Sequence, residues 1–559
     1  MGQIATTSRS QGLTVKAYRG PGSALIAYDL DPHLTKNLAG FAIKRTAPTG
    51  ESAYLLNRLD FTHEITKDTL PHQRTFTPSN VAPFQKFRWI DFPSDVHDGR
   101  YSYEVAVEYF GKGGRLEEGP RAEVAIEIAP RDYDRFRLGF TRGYLSSQAY
   151  ATRFGNAPLR PGAGLLFDTR PYEAQYEWLG FEARRILRAF AQECHDDPAS
   201  TVDVFAYDLD EPDFVETLVS FGKRLRIFLD DSPLHTKKGA REIEAGKRLL
   251  ASAGADNVRR GHFQRFAHSK VIIQKRHGKP VRVLTGSANF SVRGLYVQAN
   301  SVLVFDDPGA AALYEEAFEL AFADPRSPAK FRAAPVAKSW ATIEGAGLPA
   351  TEVSFAPHTT ALLSLGKVAD AIRDAKSSVL YAVMEMGGGG PVLQALRNIG
   401  SQQKLFAYGM TQKADGDLEV QRATANSELA DFAYLTKQVP EPFREEWSGG
   451  MGQVIHHKFV VLDFNDYTPR VFTGSSNLAK GGEEANGDNL LAIADRSVAT
   501  AYAVEAIRLV DHYHFRVAMR RATRAKPLQL QGAGTRAPWW EPYYDDKNIK
   551  SRERQLFVR

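Results

Sequence analysis

One pattern limits this chain more than any other, a set of polar residues that occurs twice at a constant distance. His268, Lys270, Gly286, Ser287 and Asn289 return as His456, Lys458, Gly474, Ser475 and Asn477, each 188 positions later. A duplicated core would repeat leucine and valine, whereas this duplication preserves histidine, lysine, serine and asparagine. The repeat therefore marks two copies of one supersecondary unit that carry the same chemistry. In each copy an apolar strand starts at the lysine ("KVIIQ", "KFVVL") and a second ends just before the glycine ("VRVLT", "RVFT"), with turn-forming residues between them. In an antiparallel hairpin the start of the first strand lies beside the end of the second. Histidine, lysine and asparagine thus converge on one edge in each half. Packing of the halves about an approximate two-fold axis would bring both sets into one cleft.

Such a cleft suits phosphorus chemistry. Imidazole titrates near neutral pH and serves as nucleophile or proton donor, so two of them can divide those roles. Lysine ammonium and asparagine N–H groups stabilise the anionic oxygens of a phosphoryl group as charge builds in a five-coordinate transition state. The duplicated HxK and GSxN sets resemble the phospholipase D superfamily over residues about 131 to 525. The resemblance implies a phosphohistidine intermediate formed without metal or other cofactor. It assigns the nucleophile to His268 and the acid and base to His456, with Lys270, Lys458, Asn289 and Asn477 binding the phosphoryl oxygens, supported by Ser287 and Ser475.

The chain departs from the family pattern in one half. The second copy holds an acid, Asp463, five residues after its lysine, with His457 inside HxK, while the first copy has Lys275 in that place. Downstream, "GGEEANGDNLLAI" resembles the family's acidic support segment, so Glu484 or Asp488 is expected to orient His268. The matching stretch of the first copy, "GLYVQANSVLVF", is neutral.

At 559 residues the chain exceeds one core and should divide into several domains. Residues 1–130 read as a β-sandwich, in which "YSYEVAVEY" and "AEVAIEI" alternate with the period of a half-buried strand, and "LTVKAYR", "ALIAYDL", "GFAIKR" and "KFRWIDF" supply further strands. The Trp89 strand and "DGRYSYEV" loosely resemble a fibronectin type III domain. Strands then alternate with helices, a Pro/Ala/Ser-rich passage at about 325 to 357 interrupts, and the alternation resumes. The expected fold class is α/β, with two pseudo-symmetric phospholipase D-like domains (131–335 and 336–525) forming one bilobed catalytic unit. An all-β sandwich precedes it, and a tail (526–559) whose "PWWEPYYDD" packs on the body follows.

Other signals are weaker. A single cysteine, Cys194, excludes an intrachain disulfide and a cysteine-rich zinc module. His262, His268 and His277 match no common ligand spacing. "EMGGGGPV" lacks the GK[ST] of a phosphate loop and reads as a turn near the cleft, and neither serine turn is a GxSxG elbow. Arg516 to Lys526 reads as a basic helix end. The N-terminus lacks a signal-peptide core and no stretch reaches the length of a membrane span, so cytoplasmic residence is the default expectation, with signal-independent export left open. A net charge of +5 tolerates an anionic partner. The second GSxN continuation is closer to bacterial endonuclease-like members than to lipid synthases, which favours DNA or RNA over phospholipid as the phosphodiester substrate. Two alternatives stand beside that reading, a phospholipase D or phosphatidyltransferase acting on phospholipids, and a degenerate anion-binding protein without catalysis.

Overall fold

The computed structural model describes residues 4–559 apart from 70–72, 94, 129–130, 134, 144–146, 163, 384–388, 400–404, 412–426 and 432–455. Residues 385–388 of "EMGGGGPV" lie outside the described residues, while Gly390 leads into the helix Pro391–Asn398. The N-terminal strands form two four-stranded antiparallel sheets. One orders Ala5–Ser10, Leu13–Gly20, Ser23–Leu30 and Arg88–Asp91, and the other Leu116–Ile128, Gly99–Phe110, Leu38–Thr46 and Ser52–Tyr54. Alternation explains why they pack face to face. Tyr101, Tyr103, Val105 and Val107 are buried on one face of their strand, opposite Leu13, Val15, Ile26 and Tyr28 of the other sheet. The strands Ala5–Ser10 and Ser52–Tyr54 carry little alternation of apolar residues and were not marked in the sequence, so the sandwich has eight strands where six were expected.

Two eight-stranded mixed sheets follow, and they have the same order. The first runs Arg131–Tyr133, Phe136–Phe140, Ser301–Phe305, Lys279–Gly286, Val271–Arg276, Ser200–Ala206, Leu225–Asp230, Val258–Gly261. The second runs Ala341–Ile343, Ala350–Phe355, Asn489–Ala494, Arg470–Gly474, Lys458–Leu462, Ser378–Val383, Phe406–Thr411, Ser427–Asp431. Strand for strand the second sheet reproduces the first. The Pro/Ala/Ser-rich passage is more ordered than its composition suggests, because it supplies the first two strands of the second sheet.

One apolar core spans both lobes and reaches the outer face of the sandwich through Tyr18, Leu25 and Ala27. The C-terminal residues join the parts covalently distant from them. Trp539 and Tyr543 fill the sandwich core, while Leu556 and Phe557 of the helix Ile549–Val558 enter the core shared by the lobes. No described helix is long and apolar enough to cross a membrane.

Candidate active site

Each lobe places its motif by the hairpin anticipated from the repeat. Val271–Arg276 pairs antiparallel with Lys279–Gly286, with Ile272 opposite Leu284, and Lys458–Leu462 pairs with Arg470–Gly474, with Val460 opposite Phe472. The glycine that opens each GSxN is required by space as well as by conformation. Gly286 and Gly474 have φ of +146° and +144°, and a Cβ there would lie 2.3 Å from the Ser301 carbonyl oxygen and 2.4 Å from that of Asn489. Only glycine lets the backbone turn toward the cleft at that point. The serine that follows ties the turn to the next strand, since Ser287 Oγ accepts from Ser301 N at 3.0 Å and Ser475 Oγ from Asn489 N at 2.9 Å.

The lobes are stitched together at the motifs themselves. His268 N donates to Gly487 O at 2.9 Å, and His456 N donates to Ala299 O at 3.2 Å. Ala299 and Gly487 are again 188 positions apart, so the contact obeys the same pseudo-two-fold relation as the motif. The two imidazole rings meet edge to face with centroids 6.4 Å apart.

What holds each imidazole differs. His268 Nδ1 lies 2.8 Å from Asp488 Oδ1, a carboxylate of the opposite lobe. His456 Nδ1 lies 2.8 Å from Asn300 Oδ1 and 3.1 Å from Ser287 O, both in the first lobe. The Asn300 amide is fixed by its Nδ2 donating to Gly294 O and by Ser287 Oγ donating to its Oδ1. All these partners are acceptors, so both rings carry their proton on Nδ1 when neutral and turn an unprotonated Nε2 away from it. Asn300 and Asp488 share the 188-residue offset, a signal in the sequence that the comparison of the two support stretches had reduced to neutral against acidic.

Burial and mutual repulsion set the charges in this cleft. His268 is brought down to about 4 by burial and by Lys270, against the pull of Asp488. Burial, Lys458, Lys270 and His268 hold His456 well below the ordinary imidazole range. Lys270 falls to about 8 through burial, and Lys458 is driven well down by burial and by Lys270. Asp488 stays below the usual carboxylate range despite its burial, because His268 and Lys270 stand beside it. Four cation-capable groups are thus crowded where an anion would relieve them. Each lysine is anchored by donating to the carbonyl of its own histidine, Lys270 to His268 O and Lys458 to His456 O.

Of the two motif asparagines, Asn289 is buried and Asn477 half-buried. Asn289 Nδ2 donates to Asp208 Oδ2 at 2.5 Å, which opens a chain the motif did not reveal. Asp208 Oδ1 meets His235 Nε2 at 2.8 Å, and His235 Nδ1 meets Asp230 Oδ1 at 2.7 Å. Asp230 Oδ2 then accepts from the amide of Ala267, the residue before His268. Hydrogen bonds to both carboxylates raise His235 to about 10 despite its burial, so it is an imidazolium clamped between them. Nothing in the sequence marks these residues, since the loops after Ser200–Ala206 and Leu225–Asp230 meet only when the strands lie side by side.

Two expected support residues do other work. Glu484 does not reach His268. Its Oε1 accepts from Ala361 N at 3.1 Å, at the start of the helix Leu362–Asp374, because Asp488 already occupies the short path to the ring. Asp463 is not in contact with a motif histidine but gathers the amides of Lys376, Ser377 and Ser378 ahead of the strand Ser378–Val383. In the first lobe Lys275 pairs with Asp203 at 2.6 Å, and Asp197 holds the equivalent loop through Ala199 N and Ser200 Oγ. His262 pairs with Asp231, away from His268 and His277 in any common cluster. Among the described residues, Asp208, His235 and Glu242 come close enough to share a cation, but His235 is already held by two carboxylates.

Comparison with protein-family models gives no match, and no curated protein sequence matches. Among solved structures the chain is similar to polyphosphate kinase from Porphyromonas gingivalis (12% identity, TM-score 0.39, 60% of this chain and 48% of that one). The match thus spans about half of the kinase. It is also similar to phosphatidylserine synthase from Haemophilus influenzae (13%, 0.39, 58% and 84%). A third similarity is to Nuc, a phospholipase D family member from Salmonella typhimurium (23%, 0.19, 24% and 84%).

Proposed function

We propose that the chain is a phosphodiester hydrolase that works through a phosphohistidine, with a nucleic acid strand as substrate. The observation that carries the reading is the pair of imidazoles, 6.4 Å apart, each contributed by a different lobe and each turning Nε2 away from an acceptor on Nδ1. His268 is the nucleophile, because Asp488 stabilises the positive charge its ring acquires when Nε2 bonds to phosphorus. His456, backed by neutral Asn300, gives a proton to the leaving oxygen as the P–O bond breaks. It then takes a proton from the water whose oxygen displaces Nε2 of His268 and releases the phosphomonoester. Lys270, Lys458, Asn289 and Asn477 hold the non-bridging oxygens as charge accumulates on them. Binding of a phosphodiester anion supplies the negative charge that lets the depressed groups take up protons.

Nucleic acid is favoured by the rim. Exposed Arg265 lies over the half-buried Phe266 ring at 4.9 Å, and Phe266 meets Tyr207, which in turn packs on His268 at 4.8 Å. A cation and a row of edge-to-face aromatics leading to the reacting imidazole suit a phosphate backbone and its bases. Purified protein incubated in EDTA with plasmid DNA, single-stranded DNA, RNA and phosphatidylcholine vesicles tests the reading. Cleavage of a nucleic acid is expected, and His268→Ala or His456→Ala should each reduce it at least about 10³-fold. Release of choline alone would replace the substrate assignment. Turnover that survives both substitutions would remove the cleft from the mechanism.

A further inference from the structure

The hydrogen bonds that run from Asn289 to Ala267 close a circuit behind the first motif. Ala267 precedes His268 ahead of the first strand of the hairpin, and Asn289 follows Gly286 at the end of the second, so the circuit joins the two ends that meet at the cleft. Its middle member, His235, is 4% exposed and comes from the short helix Pro233–Thr236, outside the duplicated motif. Both of its ring nitrogens face a carboxylate oxygen, Asp230 on Nδ1 and Asp208 on Nε2. An ionised carboxylate only accepts, so both nitrogens must donate and the geometry requires an imidazolium.

That charge stands where it can act. Asp208 is half-buried and divides its oxygens, Oδ1 toward His235 and Oδ2 accepting from Asn289 Nδ2. The acceptor fixes the Asn289 amide with its nitrogen toward Asp208 and leaves the second N–H of that nitrogen for another partner. A bare carboxylate one amide away from a phosphoryl group would repel its oxygens, and the His235 charge cancels that repulsion. On the other side Asp230 accepts from Ser232 N at 2.9 Å and from Ala267 N at 2.7 Å, which pins the main chain from which His268 projects. Tyr207 fills the angle between the two histidines, meeting His235 at 4.6 Å and His268 at 4.8 Å, with Lys270 Nζ 4.8 Å from its ring centre. Glu242, the third carboxylate near the ring, is raised to about 7 by burial and by Asp208.

We propose that His235 is a positioning residue for the first lobe's half of the cleft: as an imidazolium it neutralises Asp208, holds Asn289 toward a non-bridging phosphoryl oxygen, and through Asp230 fixes the main chain at His268. Its kinetic effect rests on the phosphodiester hydrolase reading, whereas the state of the ring does not. Nitrogen-15 NMR of the full chain with labelled histidine reads that state whether or not anything is cleaved. One imidazolium protonated on both nitrogens is expected at pH 8 and should vanish in His235→Gln. A neutral His235 at that pH, or stoichiometric zinc binding that His235→Ala abolishes, would overturn the proposal. On a cleaved nucleic acid, His235→Gln should lower kcat about 10²-fold and change KM by less than about threefold, because the contact to oxygen strengthens as charge builds. In His235→Ala, imidazole added to the buffer should restore kcat at least about tenfold, and pyrazole, which stays neutral, should not. Recovery also shows that the variant is folded. Unchanged kcat in His235→Gln, or equal rescue by both compounds, would count against the charge. If the parent chain cleaves no nucleic acid, the hydrolase reading fails by itself, and inorganic phosphate titrated by calorimetry reads the same contact. His235→Gln should then weaken phosphate about fivefold or more, and equal affinity would overturn the positioning role.

Discussion

Two histidines that look equivalent in the sequence are distinguished by one atom of their neighbours. Asp488 offers His268 a charged oxygen and Asn300 offers His456 a neutral one. Asp488→Asn should therefore lower kcat about 10²-fold or more with little change in KM, because the amide can present a donor to Nδ1 and fix the wrong tautomer. Steady-state kinetics on the cleaved substrate checks this. The pH profile follows from the same ring environments. His268 must be neutral to attack, and its fall to about 4 keeps it so above pH 5. His456 must be protonated to donate, and burial and the neighbouring lysines hold it well below its ordinary value. The fraction carrying its proton shrinks as pH rises, so kcat/KM, which reports the free enzyme, should fall from pH 5 to pH 8. A profile that rises over that interval would contradict the assignment of His456 as the acid.

Two residues expected to support the motif, Glu484 and Asp463, are anchors of secondary structure. Glu484 caps the helix Leu362–Asp374, so Glu484→Ala should cost about 1 kcal/mol of stability, the usual value of a lost cap, and leave turnover unchanged. Asp463 satisfies three consecutive amides, and Asp463→Ala should cost about 2 kcal/mol or more by leaving buried donors unpaired, measurable by urea unfolding. The motif residues, their hairpins and the duplication were legible because their spacing is written locally and twice. Asn300 was legible in principle through the same offset. Tyr207, Asp208 and His235 were not, because they meet Asn289 and His268 through strand order, which no local pattern encodes. The strands Ala341–Ile343 and Ala350–Phe355 were hidden for a related reason, lying in a Pro/Ala/Ser-rich passage whose composition resembles a linker.

Across the whole molecule, buried imidazoles tie stability to pH. His268 drops to about 4, and burial also holds His358, His456 and His457 below their ordinary values. The unfolded chain binds these protons from pH 6.5 downward while the native one does not, so stability is full above pH 6.5 and is lost as pH falls toward 4. Each such histidine contributes a slope of up to about 1.4 kcal/mol per pH unit. His235 acts with the opposite sign, stabilising below pH 6.5 and ceasing to do so as pH rises through about 10. Glu108, Glu211, Glu242 and Glu483, raised to about 7 by burial, oppose this loss between pH 6.5 and pH 5. In thermal unfolding Tm should therefore stay nearly level over that window and drop below about pH 4.5, where the glutamates are protonated in both states and the buried histidines still take up protons only on unfolding.

The crosswise hold on the rings, Asp488 reaching one and Asn300 the other, makes the two halves hostages to each other. A chain severed between residues 324 and 340 would yield fragments in which neither ring keeps its partner, so neither could retain partial competence by itself. Selection can therefore reshape one half's surface freely but cannot let its inner edge drift, since every change there is felt first by a residue encoded on the far side of the gene.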